Sequence, residues 1–217
     1  MASVGLNTAY RRSRHRLIER LGAAGIEDLT VLHAFDSVPR HLFVPEAVQH
    51  RAYEDVALPL GHGQTISRPG VHALHLQLAR LTGDEQVLEI GTGSGFQTAL
   101  LARLVQQVFS IEVVPELANL VRDRLQALEI DNVELQVGDG SMGWEERAPF
   151  DAIFVGAAAP AVPEPLRNQL ADGGRLLIPI GDKAGQRLLL IERCGDEWHE
   201  QTVESARFVP LVGEEGW

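Results

Sequence analysis

Apolar positions in this chain change their spacing in a repeating order: a short continuous run, then a stripe at three- and four-residue intervals. Val87, Leu88 and Ile90 belong to one such run. Phe96, Leu100, Leu101 and Leu104 supply the stripe behind it, so the pattern predicts a strand and then a helix. The order repeats with a strand over Gln107–Ile111, a helix bearing Leu117, Leu120, Val121, Leu125 and Leu128, and a strand over Asn132–Val137. It returns as a strand over Asp151–Val155, a helix from Pro163 through Leu170 ended by Gly173-Gly174, and a strand over Arg175–Ile180. Gln186–Glu192 and Trp198–Val209 then read as a closing antiparallel pair. Strands separated by helices imply an α/β fold with a doubly wound, mostly parallel, Rossmann-like sheet.

Ahead of that rhythm the spacing predicts a helix over residues 8–21 with the stripe Leu17, Ile18 and Leu21, stopped by Gly22. A second carries Leu29, Val31, Leu32 and Phe35 and ends at Val38-Pro39, and a third runs from about Val71 to Leu81, closed by Gly83. Residues 39–68 show little regular pattern. A long irregular stretch in a compact domain is often a functional loop, and Gln64, Thr65 and Ser67 stand where a lid over the sheet's crevice belongs.

The first strand ends in glycines at every second position, Gly91, Gly93 and Gly95. Strand, tight turn and helix make the first βα unit of an open sheet, and the helix N–H groups face the crevice. A dinucleotide fingerprint requires a third glycine where Phe96 stands, and no Lys-Ser/Thr pair follows as in a P-loop. Glu89 just before the loop opposes a pyrophosphate and suits a ligand with an ammonium group, such as the amino-acid end of S-adenosylmethionine. Glu112 ends the second strand 21 positions beyond Gly91 (112 − 91), placed to accept from ribose hydroxyls. Asp139, in Gly138-Asp139-Gly140 after the third strand, is placed to accept from an adenine amino group. Three carboxylates at successive strand ends predict a site for S-adenosylmethionine.

Composition narrows the picture further. A chain of 217 residues fits one domain. The expectation is a single methyltransferase domain over 1–217, with 1–70 as N-terminal helices and lid and 71–217 as core and C-terminal strands. The formal net charge of −11 argues against a general affinity for nucleic acid, although Arg11, Arg12, Arg14, Arg16 and Arg20 cluster in the first helix. No apolar run approaches the ~18 residues of a membrane span, and no apolar stretch behind the arginines makes a signal peptide. Lone Cys194 forms no internal disulfide, which permits a reducing compartment. His72 and His75 stand three apart, but no third ligand near them completes a metal motif, so none is expected. For His75 a packed or surface role is the expectation.

With these residues laid out, the chain resembles the protein-L-isoaspartate O-methyltransferases over nearly its whole length. Val38-Pro39-Arg40, Phe43-Val44, Ala57-Leu58-Pro59, Gly63-Gln64-Thr65-Ile66-Ser67, Val87–Gly95, Gly138-Asp139-Gly140, Ala148–Ile153 and Arg207-Phe208-Val209-Pro210-Leu211 carry the likeness. The glycine loop is generic to methyltransferases, whereas the Gln-Thr-Ile-Ser and Phe-Val-Pro-Leu stretches are specific to the family. The resemblance implies the S-adenosylmethionine-dependent methyltransferase fold with an N-terminal helical extension and an antiparallel C-terminal pair. It implies methyl transfer to the α-carboxylate of L-isoaspartyl residues in aged proteins and peptides, with S-adenosyl-L-homocysteine as product. The ester then closes to a succinimide, which reopens partly as aspartate.

Carried over by motif, Ser67 is the active-site residue. Thr65, Ile66, His72, Glu89, Gly91, Thr92, Gly93, Gly95, Glu112, Asp139 and Gly140 are the cofactor contacts. Gln64, Thr65, Ile66, Ser67, Val209 and Val212 border the substrate. Arg68-Pro69-Gly70 departs from the family's usual continuation, and Arg68 either favours acidic substrates or faces water. The expectation is a cytoplasmic monomer that binds neither nucleic acid nor membrane. A methyltransferase of a small molecule or RNA, and a cofactor-binding module without catalysis, are the alternatives.

Overall fold

The computed structural model describes residues 10–61 and 63–217. Helices α1 (Arg11–Ala23) and α2 (Leu29–Ser37) come first, and the Asp28 side chain caps α2 by accepting from the N–H groups of Thr30 and Val31. Strands β1 (Leu58–Gly61) and β2 (Gln64–Ile66) form a separate antiparallel hairpin, followed by α3 (Pro69–Ala79). The main sheet is then built from β3 (Gln86–Ile90), β4 (Gln107–Glu112), β5 (Val133–Val137), β6 (Phe150–Val155), β7 (Leu170–Asp182), β8 (Gly185–Cys194) and β9 (Glu197–Ala206). Helices α4 (Phe96–Ala102), α5 (Pro115–Ala127) and α6 (Glu164–Asn168) connect its strands.

The strand order is β5-β4-β3-β6-β7-β8-β9. The first five of these are mutually parallel, and β8 and β9 close the edge antiparallel. From β3 the chain winds outward through β4 to β5, then crosses back to place β6 on the other side of β3. That reversal opens a crevice at the carboxyl ends of the strands. Period-two alternation along β3 sends Leu88 and Ile90 to one face, with Phe109, Phe150 and Leu166. It sends Val87 to the other, with Phe96, Leu100, Val121 and the N-terminal Leu17, Phe35 and Leu76. Glu89 shares the face of Val87, beneath α4, and its burial is therefore a matter of register.

Several boundaries differ from the sequence reading. Helix α1 continues through Gly22 and turns at Gly25, whose φ of 99° only glycine adopts readily. The part of that expectation on residues 8–9 lies outside the described residues. Helix α3 starts earlier, at Pro69, and ends on Arg80 in the left-handed region rather than at Gly83. The 163–170 helix is shorter, because β7 already begins at Leu170 and carries Gly173-Gly174 inside it as an irregularity in its pairing with β6. The segment 39–68 is also more regular than its pattern suggests. It holds two 3₁₀ turns, Arg40–Phe43 and Glu46–Arg51, and the β1–β2 hairpin. Turns of three to six residues are too short to establish an apolar period.

Close packing between strand ends yields a direct test. A Cβ on Gly140 would sit 2.4 Å from Ile90 Cγ2. Gly140→Ala is expected to cost about 1–3 kcal/mol in chemical denaturation, and Ile90→Ala in the same chain to cost less than it does alone.

Candidate active-site cleft

A cleft opens at the carboxyl ends of β3, β4 and β6, under the β1–β2 hairpin. It has two lobes that share Thr65, Gly91, Gly93 and Gly156. Their floor is bare backbone, because the two strand ends nearly touch: a Cβ on Gly156 would lie 3.2 Å from the Gly91 carbonyl oxygen. Gly91 and Gly93 both have positive φ, 86° and 55°, which turns the loop without a side chain over the floor.

The first lobe is polar and buried. Glu89, fully excluded from solvent, accepts through Oε2 from Thr98 Oγ1 (2.5 Å) and Ser110 Oγ (2.7 Å), and Ser110 is 2.7 Å from Thr92 Oγ1. Among the described residues its Oε1 has no hydrogen-bond partner. Burial pushes the Glu89 pKa up to about 7; Thr98, Ser110 and Gln97 pull it down, and the Glu112 charge adds to the rise. His72 Nδ1 lies 2.8 Å from Gln97 Oε1, and burial, helped by Arg40, drops its pKa to about 3. Ser67, Ile66, Ser94, His75 and Phe208 complete the wall.

The second lobe is more apolar, with Ile90, Ile111, Val113 and Leu211 around Glu112. Glu112 ties down the glycine loop, accepting from Gly93 N–H (2.7 Å) and Val114 N–H (3.0 Å). Gly140, Gln64, Val209 and Val212 also line this lobe.

The lid is fixed from below by Arg40, which is buried and donates from Nε to the Ala52 carbonyl (2.8 Å) and from Nη2 to the Ser67 carbonyl (2.9 Å). Burial lowers its pKa to about 9 against the opposing pull of Asp55 and Tyr53. Asp55 accepts from the Gly70 N–H (2.7 Å) at the start of α3 and pairs with Arg68 (3.6 Å). Arg68 also reaches Glu204 on β9 (3.7 Å), so it bridges acids rather than pointing freely into water.

The far wall is the segment after β9. Gln186 holds Phe208 through both its N–H (2.6 Å) and its carbonyl (3.1 Å). Ala158 exchanges bonds with Val209 and Leu211. Residues 213–217 then fold back, with Glu214 N–H on Asp139 Oδ2 (2.7 Å), Glu215 N–H on Ser141 Oγ (3.0 Å) and Trp217 Nε1–H on the Ala158 carbonyl (3.0 Å).

Comparison with known proteins gives this arrangement a family. Residues 12–216 match the model of the protein-L-isoaspartate(D-aspartate) O-methyltransferases. A Halorhodospira halophila protein-L-isoaspartate O-methyltransferase is 50% identical over 97% of this chain and 96% of its own length. One from Trichlorobacter lovleyi is 51% identical over 94% and 95%. A solved Plasmodium falciparum protein of the same designation, in complex with S-adenosyl-L-homocysteine, superposes with a TM-score of 0.79 at 29% identity, covering 91% of this chain and 97% of that one.

The chain belongs to the protein-L-isoaspartate(D-aspartate) O-methyltransferase family. The motif residues of that family fall into the cleft with two exceptions. Gly95 lies behind the loop, where a Cβ would strike Val121 at 2.7 Å. Asp139 lines neither lobe. Both its oxygens serve the protein itself, Oδ1 accepting from Ser141 N–H (2.8 Å) and Ser141 Oγ (2.7 Å), and Oδ2 from Glu214. Asp139 thereby also holds a fold-back 75 residues away, a structural role that no local pattern announces. Val209 and Val212, expected beside the substrate, line the lobe that contains Glu112. Conversely, Arg40, His75, Gln97 and Phe208 join the site unannounced; only their convergence in space reveals them, although the family stretches quoted above contain Arg40 and Phe208. Among the described residues no group of His, Cys, Asp and Glu is suited to hold a metal.

Hydrogen bonds from Glu214 and Ser141 outweigh the desolvation that would raise the Asp139 pKa, and hold it below the usual carboxylate range. Asp139→Ala is therefore expected to lower stability by about 1–2 kcal/mol and to speed hydrogen exchange in 213–217. Glu214→Ala, which keeps the donating main-chain N–H, is expected to change neither.

Proposed function

We propose that this chain transfers the methyl group of S-adenosylmethionine to the α-carboxylate of L-isoaspartyl residues in damaged proteins and peptides. The observation that carries the reading is one cleft with a chemically distinct end on either side of Thr65. A buried carboxylate with an unpartnered oxygen, Glu89 Oε1, lies at one end, and an apolar slot around Glu112 at the other. An amino-acid ammonium fits the first and an adenosine the second, with the ribose hydroxyls at Glu112. Gly91, Gly93 and Gly156 leave room for the chain between them. When bound, S-adenosylmethionine supplies an already activated methyl group, and a carboxylate is already a nucleophile, so no strong base is needed. Thr65 and Ile66 on the hairpin close over the shared middle, and the Ser67 hydroxyl orients the acceptor carboxylate. Rate then comes from alignment and from exclusion of water. We further propose that the enzyme acts as a monomer in the cytoplasm, a reading that rests on sequence alone.

An isoaspartyl residue differs from an aspartyl one only in the placement of one methylene, so discrimination is geometric. Misplacing the reacting atom by about 1 Å costs on the order of a hundredfold in rate. Labelled methyl transfer is expected to an isoaspartyl peptide and essentially none to its aspartyl twin, with the label released by base as methanol. Equal labelling of both, or a base-stable product, would leave a methyltransferase of another acceptor.

Glu89 supplies an independent check on cofactor orientation. Its free pKa of about 7 keeps it mostly protonated at about pH 6, and an ammonium group beside it favours the ionised form. Binding of S-adenosyl-L-homocysteine at that pH should therefore release protons. Calorimetry in buffers of different ionisation enthalpy reads this as a buffer-dependent heat, which Glu89→Gln is expected to remove. An unchanged buffer dependence in that variant would place the ammonium elsewhere.

A further inference from the structure

His75 follows His72 by three positions on α3, so both project from one helical face into the lobe that holds Ser67. They turn apart within it. His72 leans on the glycine-loop side, bonded to Gln97 and edge-on to Phe96 with ring centroids 5.6 Å apart. His75 stacks on Phe208 at 6.0 Å with an interplanar angle of 20°. Phe208 is fixed by Gln186, and the next residue, Val209, bonds to Ala158 beyond β6. His75 thus lines the first lobe, whereas Glu112 lines the second. His75 is 4% exposed, and among the described residues its Nε2, like that of His72 in the same lobe, has no hydrogen-bond partner. A buried polar nitrogen without a protein partner, on a side chain that lines a cavity, is an uncommon and costly arrangement unless a ligand completes it.

The geometry points to His75 as a second substrate-contacting residue: its Nε2–H donates to the α-carboxylate oxygen that does not take the methyl group, alongside the Ser67 hydroxyl. This rests on the isoaspartyl methylation proposed above. In that reaction one carboxylate oxygen bonds the methyl carbon while the carbon–sulfur bond breaks with its electron pair left on sulfur. No proton moves, and a negative and a positive charge vanish together. A cation against the carboxylate would stabilise the charged ground state more than the transition state and slow the step. Among the described residues no Lys or Arg lines the first lobe. Burial lowers the His75 pKa to about 4, so the ring offers a neutral donor under physiological conditions. It can hold the acceptor without quenching it.

The test compares His75→Leu and His75→Gln with the unaltered enzyme. Calorimetry reads S-adenosyl-L-homocysteine binding, then binding of an isoaspartyl peptide to the S-adenosyl-L-homocysteine-saturated enzyme, and steady-state assays give KM and kcat. In His75→Leu the peptide Kd and KM are expected to rise about tenfold, the loss of one hydrogen bond to a charged group, while cofactor-product binding stays at its original strength. His75→Gln, whose amide N–H reaches a similar point, is expected to recover most of the loss. His75→Met removes the donor but keeps apolar contact with Phe208, and gives the same reading where the leucine variant does not fold. Unaltered peptide binding in the donor-free variants would reduce His75 to a packing residue. Weakened S-adenosyl-L-homocysteine binding with intact peptide binding would assign it to the cofactor. An unaltered enzyme that binds no isoaspartyl peptide would overturn the function itself, and this role with it.

Discussion

A carboxylate buried at the carboxyl end of the central strand is the constraint on which the cleft depends. Glu89 is fully buried, and among the described residues Thr98 and Ser110 satisfy its Oε2 while its Oε1 has no hydrogen-bond partner. Leaving a buried charge half-compensated is costly, and the group responds by holding its proton to about pH 7. The arrangement makes sense if a cationic ligand supplies the missing partner. It also ties its surroundings together: α4 brings Thr98 and β4 brings Ser110 to the same oxygen. The site is in this sense built for a cationic ligand.

The second carboxylate does the opposite. Both oxygens of Glu112 are engaged by main-chain N–H groups of Gly93 and Val114, so it stiffens the loop it is expected to read ligands beside. Carboxylate oxygens have spare lone pairs, and a group already fixed by two bonds loses little freedom on accepting more. Pre-organisation extends to the lid. Arg40 under Ser67, Asp55 at the start of α3 and Gln186 on Phe208 each cross-tie segments remote in sequence. Bonds of this kind restrict the positions open to the Ser67 hydroxyl.

Much of this was legible in the sequence, and the reason is local. The alternation of spacing along 86–180 reports the parallel sheet, because each strand and helix must bury one face or both, and that need writes itself into consecutive residues. The glycine loop and the acids at strand ends are legible for the same reason: their roles follow from neighbours in the chain. What escaped is non-local. Arg40 looks like a surface arginine until Ala52 and Ser67 close around it. Asp139 looks free until residues 213–217 return to it. Gly173-Gly174 looks like a helix stop, yet sits inside a strand because the pairing with β6 tolerates an irregularity there.

Asp139 shows how a motif position can also hold a wall of the cleft in place. The fold-back it anchors passes close behind Leu211, since a Cβ on Gly216 would lie 2.3 Å from the Leu211 carbonyl oxygen. Leu211 in turn faces the apolar lobe and bonds through its N–H to the Ala158 carbonyl (2.8 Å), the atom that also receives Trp217 Nε1–H. One carbonyl therefore secures both the wall and the strap over it. Phe208 in the same segment stacks on His75, so one stretch of chain supplies both the wall beside Glu112 and the surface against His75. A reaction whose selectivity is the placement of a single methylene requires that coupling. Independent motion of the two walls would let the wrong carboxylate reach the methyl group.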